Sequence, residues 1–227
     1  MKILIIDNNI DRDSWSAPSL ARFARKVPGA ILSIRRAPSD DLPRDALAFD
    51  RIVLSGSRTS AMDEAPWIDH LIEFLQKGMN AGKPILGVCY GHQILARALG
   101  GKEAVRKAAQ GEFGWTAIKV HRPNPLMKGL AESFYSFSSH HDEVCALPKG
   151  LKPLASSEGC EVQGFQLEDK PIFGIQFHPE KTLEDGNRIY DIIGKAYPSI
   201  PLINSKRSKE LYDPSVGDTL FANFFSL

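Results

Sequence analysis

The chain has 227 residues, 43% of them hydrophobic and 24% charged, and its 28 Lys and Arg against 27 Asp and Glu leave a net charge of +1. That length can bury a sizeable core without disulfides or metals, and the composition excludes a disordered or fibrous chain. The near-neutral balance speaks against nucleic acid as a partner, because the densest basic runs, Lys102 to Lys107 and Lys206 to Lys209, are interrupted by Glu or Ser and read as solvated surface.

In chain order, Ile3 to Ile6 is a short continuous apolar run ended by Asp7-Asn8-Asn9, the pattern of a strand buried on both faces of a parallel sheet. The stretch Ser16 to Lys26 carries Leu20, Phe23 and Ala24 at helical spacing before Pro28-Gly29. Arg51 to Leu54, leading into Ser55-Gly56-Ser57, is a second buried strand. Ala65 to Asn80 is a second helix, with Trp67, Ile68, Leu71, Ile72, Leu75 and Met79 on one side. Pro84 to Cys89 is a third strand, and Gln93 to Leu99 a helix behind it. After Gly101 the pattern turns to alternation, in Thr116 to Val120, Ser133 to Phe137, Val162 to Leu167 and Ile172 to Phe177. This predicts an α/β fold, a mainly parallel core with antiparallel or edge strands added by the second half. Tyr197 to Asp218 reads as a loop excursion and Leu220 to Phe225 as a docked helix. One domain over residues 1–227 is expected, with no repeat or linker.

Cys89, Cys145 and Cys160 are odd in number and widely spaced without a CxxC, which argues against a disulfide framework and a structural zinc site. The first residues reach Asp7 after four apolar positions, shorter than a signal-peptide core, and no apolar run approaches the ~20 residues of a membrane span. The expected compartment is the cytosol, with no membrane partner.

The chemistry concentrates at two places. In Gly87-Val88-Cys89-Tyr90-Gly91 a strand runs into a helix at Cys89, and glycines two residues to either side permit the close backbone approach of a nucleophile elbow. The helix N-terminus behind the sulfur favours thiolate, and the Tyr90 amide is placed to meet an oxyanion. In Gln176-Phe177-His178-Pro179-Glu180, at the end of an apparent strand, side-chain alternation puts Gln176, His178 and Glu180 on one side. A carboxylate can thus reach the imidazole, which gives nucleophile, base and orienting acid. His70, His92 and His121 are expected to be structural or superficial. The pair His140-His141 beside Asp142 and Glu143 is not expected to hold a metal, since adjacent residues seldom ligate one ion together.

With these pieces in place, the chain resembles the class I glutamine amidotransferase (triad glutaminase) family. The matching residues are Ile3 to Asn8, Leu54 to Ser57, Gly87 to Gln93, Glu112-Phe113-Gly114-Trp115, Ser139-His140-His141-Asp142 and Gln176 to Glu180. The fourth and fifth look most like the glutaminase half of GMP synthase and its stand-alone relatives. The resemblance implies a flavodoxin-like three-layer domain. It makes Cys89 the nucleophile, His178 the general base and acid, and Glu180 its orienting partner. It assigns the oxyanion hole to the Gly56 and Tyr90 amides, and the substrate's amino-acid end to Gln93, Ser139 and His140. It calls for no cofactor. Glutamine or a γ-glutamyl amide would be cleaved through a thioester, either to supply ammonia to a synthetase on a separate chain or by a self-sufficient γ-glutamyl hydrolase; a non-catalytic flavodoxin-like module is the third reading. Two features set the chain apart from the synthases. Ser57-Arg58 follows Gly56 where they usually show glycine and proline, and the segment at about 181–218 is enlarged before the closing helix. Both features suggest a site open to something larger or more anionic than glutamine.

Overall fold

The computed structural model describes residues 1–11, 16–168 and 170–227. The apolar runs form the strands expected of them. These are β1 (Lys2–Asp7), β3 (Arg51–Leu54), β4 (Ile85–Val88) and β9 (Ile172–Ile175), with β2 (Ile31–Arg36) added at one edge. Together they make a parallel half-sheet in the order β2-β1-β3-β4-β9. The remaining strands, β5 (Val105–Val120), β6 (Ser133–Val144), β7 (Leu151–Ser156) and β8 (Gly164–Leu167), continue the same sheet antiparallel in the order β9-β8-β7-β5-β6.

Both faces of the parallel half are covered, which is why its strands are apolar without alternation. Ile3 and Ile5 of β1 pack with Leu20 and Phe23 of α1 (Ser16–Ala24) and with Phe221 and Phe224 of α6 (Pro214–Ser226). Leu4 and Ile6 pack on the other side with Leu71 and Leu75 of α2 (Pro66–Asn80) and Ile94 of α3 (Tyr90–Gly100). The result is the three-layer α/β arrangement expected, with nine strands in one mixed sheet among the described residues.

Six elements depart from the sequence reading. β2 escapes periodicity because it is an edge strand, with Ile31 63% exposed. β5 and β6 run well beyond Thr116–Val120 and Ser133–Phe137, because each supplies the other's ladder along a long hairpin in which Arg106, Lys107 and Lys119 face solvent. Residues 183–196 form a helix, α4 (Leu183–Ala196), with a capping box: the Thr182 hydroxyl accepts from the Asp185 amide and the Asp185 carboxylate accepts from the Thr182 amide. The closing helix starts at Pro214 rather than Leu220, capped by Asp213 Oδ1 on the Ser215 amide. Between them a short helix, α5 (Ser208–Leu211), interrupts the expected loop. Among the described residues no helix is long and apolar enough to cross a membrane.

Candidate active site

The elbow between β4 and α3 holds Cys89 at φ +54° and ψ −104°, a conformation that L-residues rarely adopt. The flanking glycines make this possible. A Cβ on Gly87 would come within 2.3 Å of the Gly91 carbonyl oxygen, and one on Gly91 within 2.6 Å of Leu54 Cβ. The turn is pinned to the neighbouring strand by the Cys89 amide donating to the Ile175 carbonyl at 2.8 Å. Tyr90 opens α3, so its N–H precedes the helical ladder.

The second motif leaves β9 and crosses toward β6, where the His178 amide donates to the Phe137 carbonyl at 2.7 Å. His178 Nδ1 lies 2.7 Å from Glu180 Oε1, and both side chains are buried. Their loop is clamped from two helices. Arg22 of α1 donates to the Glu180 carbonyl at 2.9 Å, and Gly217 of α6 lets that helix approach so closely that a Cβ there would lie 2.3 Å from the Pro179 carbonyl oxygen. Burial alone would lower the His178 pKa, but the Glu180 carboxylate and a hydrogen bond with Cys89 raise it to about 10. Burial works to raise Glu180, and His178 and the nearby Lys181 outweigh it and hold the carboxyl below its ordinary value.

Gly56 closes the site from β3. A Cβ at this position would lie 3.0 Å from His178 Cε1 and 3.9 Å from Cys89 Sγ, so the backbone runs against both side chains. The loop is held by its partners: Asn8 Nδ2 donates to the Ser55 carbonyl at 2.8 Å, and Asn9 Nδ2 to the Gly56 carbonyl at 3.1 Å. Sequence reasoning did not single out Asn8 and Asn9 as such anchors, because the contact joins residues 47 apart.

Gln93 is buried behind the elbow, its Nε2 donating to the Asp142 carbonyl at 2.8 Å and to Gln176 Oε1 at 2.9 Å. The Ser139 carbonyl lies 3.8 Å from Cys89 Sγ. His140 borders the same cleft, but its ring is engaged, Nδ1 with the Asp142 carbonyl at 3.0 Å and Nε2 with Glu112 Oε2 at 3.2 Å. Glu112 also accepts from Ser157 Oγ and Gln163 Nε2. Ligand atoms of Glu112, His140 and Cys160 lie within 4.8 Å of one another. Glu112 and His140 are hydrogen-bonded to each other and brace the cleft wall from behind, and burial followed by the Glu112 charge pushes the Cys160 thiol up to about 12. His92 is fully buried against Phe165, His70 pairs with Asp40 on the surface, and His121 meets the Leu154 carbonyl through its amide.

The cleft in front of Cys89 has a volume of about 440 Å³. Gly56, Arg58, Gln93 and Asp142 line one part, and α4 lines another. Arg58 does reach it, but its guanidinium is 3.6 Å from Asp11, so its charge is not unopposed.

A profile of the glutamine amidotransferase class-I family matches residues 19–191. The glutamine-hydrolyzing A component of GMP synthase from Sulfolobus acidocaldarius is 38% identical over 143 residues, covering 63% of this chain and 73% of that protein. The glutamine-hydrolyzing GMP synthase of Caldicellulosiruptor saccharolyticus is 43% identical over 130 residues, 57% of this chain but only 24% of that longer protein. Among solved structures, a glutamine amidotransferase from Thermotoga maritima superposes with a TM-score of 0.81 over 100% of this chain and 96% of that one, at 21% identity, a likeness of fold. Motifs, fold and profile agree, and the chain belongs to the class I glutamine amidotransferase family.

Proposed function

We infer that the protein hydrolyses the side-chain amide of glutamine, or of a γ-glutamyl compound, through a Cys89 thioester. The observation that carries this reading is the pairing of a strained, elbow-mounted Cys89 with the buried His178–Glu180 dyad across the Gly56 loop. With its pKa raised, His178 is suited to take the Cys89 proton and hold it as an imidazolium while the sulfur attacks. The sulfur attacks the amide carbon, and His178 gives its proton to the departing nitrogen. Ammonia or an amine leaves. His178 then takes a proton from water, whose oxygen attacks the thioester to release glutamate and restore the thiolate.

The negative oxygen of each tetrahedral species would be met by the Tyr90 and Gly56 amides. In a trans peptide C=O and N–H point opposite ways, so the Asn8 bond to the Ser55 carbonyl turns the Gly56 N–H away from Asn8. Losing one such donor typically costs ~2.7–4 kcal/mol of barrier. Gln93 and the Ser139–His140 backbone would orient the amino-acid end, with Glu112 holding His140 in place.

The relatives named as the A component of GMP synthase favour an ammonia-donating role beside a separate synthetase chain. A second reading, a γ-glutamyl hydrolase acting alone, is favoured by the helix that α4 adds along the cleft. Glutamate release from glutamine, measured with and without a GMP synthetase chain, tests both. Turnover abolished by Cys89→Ser is expected; residual wild-type turnover in that variant, or none in the wild type with any γ-glutamyl substrate, would sink the thioester reading. Strong stimulation by the synthetase favours the first role, and full activity without it the second.

A further inference from the structure

The apolar side of α4 is in an unusual place. Ile189, Ile192, Ile193 and Ala196 recur at i, i+3, i+4 and i+7, the stripe by which a surface helix ordinarily buries one face. Here all four, with Tyr197 beyond the helix end, line the cleft that contains Cys89. Ile192 is 38% exposed and Tyr197 56%, so part of the stripe is left open inside a concave site.

The helix is held firmly enough to serve as a wall. Tyr190 accepts from the Trp115 amide at 3.0 Å and donates to the Ile203 carbonyl, and the Ile203 amide donates to the Phe113 carbonyl at 2.8 Å. The segment after Glu180 is therefore laced onto β5.

The cleft is thus divided. Near Cys89 it is polar, with Gln93, the Ser139 carbonyl and Asp142. Along α4 it is apolar. Its about 440 Å³ falls in the range of roughly 300–1,000 Å³ that accommodates drug-sized ligands, more than a single free amino acid requires. Charges at the cleft wall are opposed: Arg58 stands 3.6 Å from Asp11, and Lys181 4.0 Å from Glu180. His141 packs against Phe113 with ring centroids 4.6 Å apart and ring planes tilted by 56°, which adds aromatic rather than ionic surface.

Resting on the γ-glutamyl hydrolase reading above, we propose that the α4 stripe is a leaving-group subsite for γ-glutamyl amides whose amine carries an apolar aliphatic or aromatic group. The γ-glutamyl half occupies the polar end, with its carbonyl at Cys89, and the amine substituent lies along Ile192 and Tyr197. The C–N bond breaks as the Cys89 thioester forms, the amine leaves with the His178 proton, and one water is consumed to release glutamate.

The test compares glutamine, γ-glutamylglycine and γ-glutamylisobutylamide as substrates of the full chain, reading released glutamate. Wild-type kcat/KM for the isobutylamide should exceed that for γ-glutamylglycine at least tenfold, roughly the scale on which one or two buried methylenes discriminate. Ile192→Asn combined with Tyr197→Ser, both at half-open positions that tolerate polar groups, should collapse that preference to within about threefold. Equal rates for the two amides in the wild type, or an undiminished preference in the double variant, would overturn the subsite. Hydrolysis of glutamine without the isobutylamide overturns it while leaving the parent reading intact. Turnover of none of the three compounds removes both.

Discussion

Cys89 occupies a backbone region that costs an L-residue on the order of 1–3 kcal/mol, and neighbouring residues must hold it there. Gly91 is one of these, since a Cβ there meets both Leu54 Cβ at 2.6 Å and the Leu54 carbonyl oxygen at 2.9 Å, backbone that cannot swing aside. Gly91→Ala should lose about 1–3 kcal/mol of stability, a Tm drop of roughly 2–12 °C by calorimetry. A drop under about 1 °C would show that the elbow can relax. At the dyad, replacing Glu180 with Gln keeps the shape but removes the charge that chiefly raises His178 from its ordinary 6.5 to about 10. The His178 ring titration followed by NMR should therefore move to lower pH in Glu180→Gln, and kcat should fall with it. An unmoved midpoint would assign the shift to Cys89 instead.

At the scale of elements, the candidate catalytic groups are carried by strand ends and the turns that follow them. Cys89 follows β4 and His178 follows β9, which are parallel neighbours, so two motifs far apart in the chain emerge at the same end of the sheet. This is where open α/β sheets place their ligands, outside the carboxyl ends of the strands. The glycine-flanked cysteine and the His-x-Glu motif were legible because each is local, complete within a few neighbouring residues. The α4 wall was not. Its interior contains Gly186, Asn187 and Gly194, poor helix formers, and the helix owes its stability to packing of Tyr190 against Phe137 and to its cap. The Thr182-x-x-Asp185 spacing was the one available signal. Thr182→Ala removes that cap and should cost about 1 kcal/mol, lowering Tm by roughly 2–4 °C. Hydrogen exchange should accelerate across residues 183–196 while β4 and β9 stay protected; uniform acceleration would argue that α4 unfolds only with the whole domain.

The whole molecule links its stability to pH through a few buried groups. His92 is fully buried, and desolvation depresses its pKa from 6.5 to about 3, so its contribution is present above 6.5 and lost as pH falls through the range toward 3. Glu112 and Glu180 are held below their ordinary 4.5, despite burial, by His140 and His178 respectively, and their contributions are present above 4.5 and lost as pH falls further. His178 has the opposite sign: its contribution is complete below 6.5 and lost as pH rises through about 10. Chemical denaturation followed from about pH 3 to just above 10 should accordingly show stability beginning to decline below 6.5, steepening below 4.5, and falling on the alkaline side toward 10. His92→Leu should flatten the slope between 6.5 and 4.5, and an unchanged slope there would reassign it to surface groups.

The sequence by itself determined the layered α/β core, through apolar runs too continuous for a one-sided sheet, and it determined which cysteine and which histidine belong together, because elbow geometry and the His-x-Glu spacing are written in neighbouring residues. Only the tertiary structure decided what surrounds them. The Asn8 hold on the Gly56 loop, the Glu112 brace behind His140 and the apolar wall of α4 all join residues far apart in the chain. Such contacts leave no local period to read, since their partners are chosen by the closing of the sheet and the docking of the segment after Glu180 onto β5, and burial there overrides the weak helical preference of the residues involved.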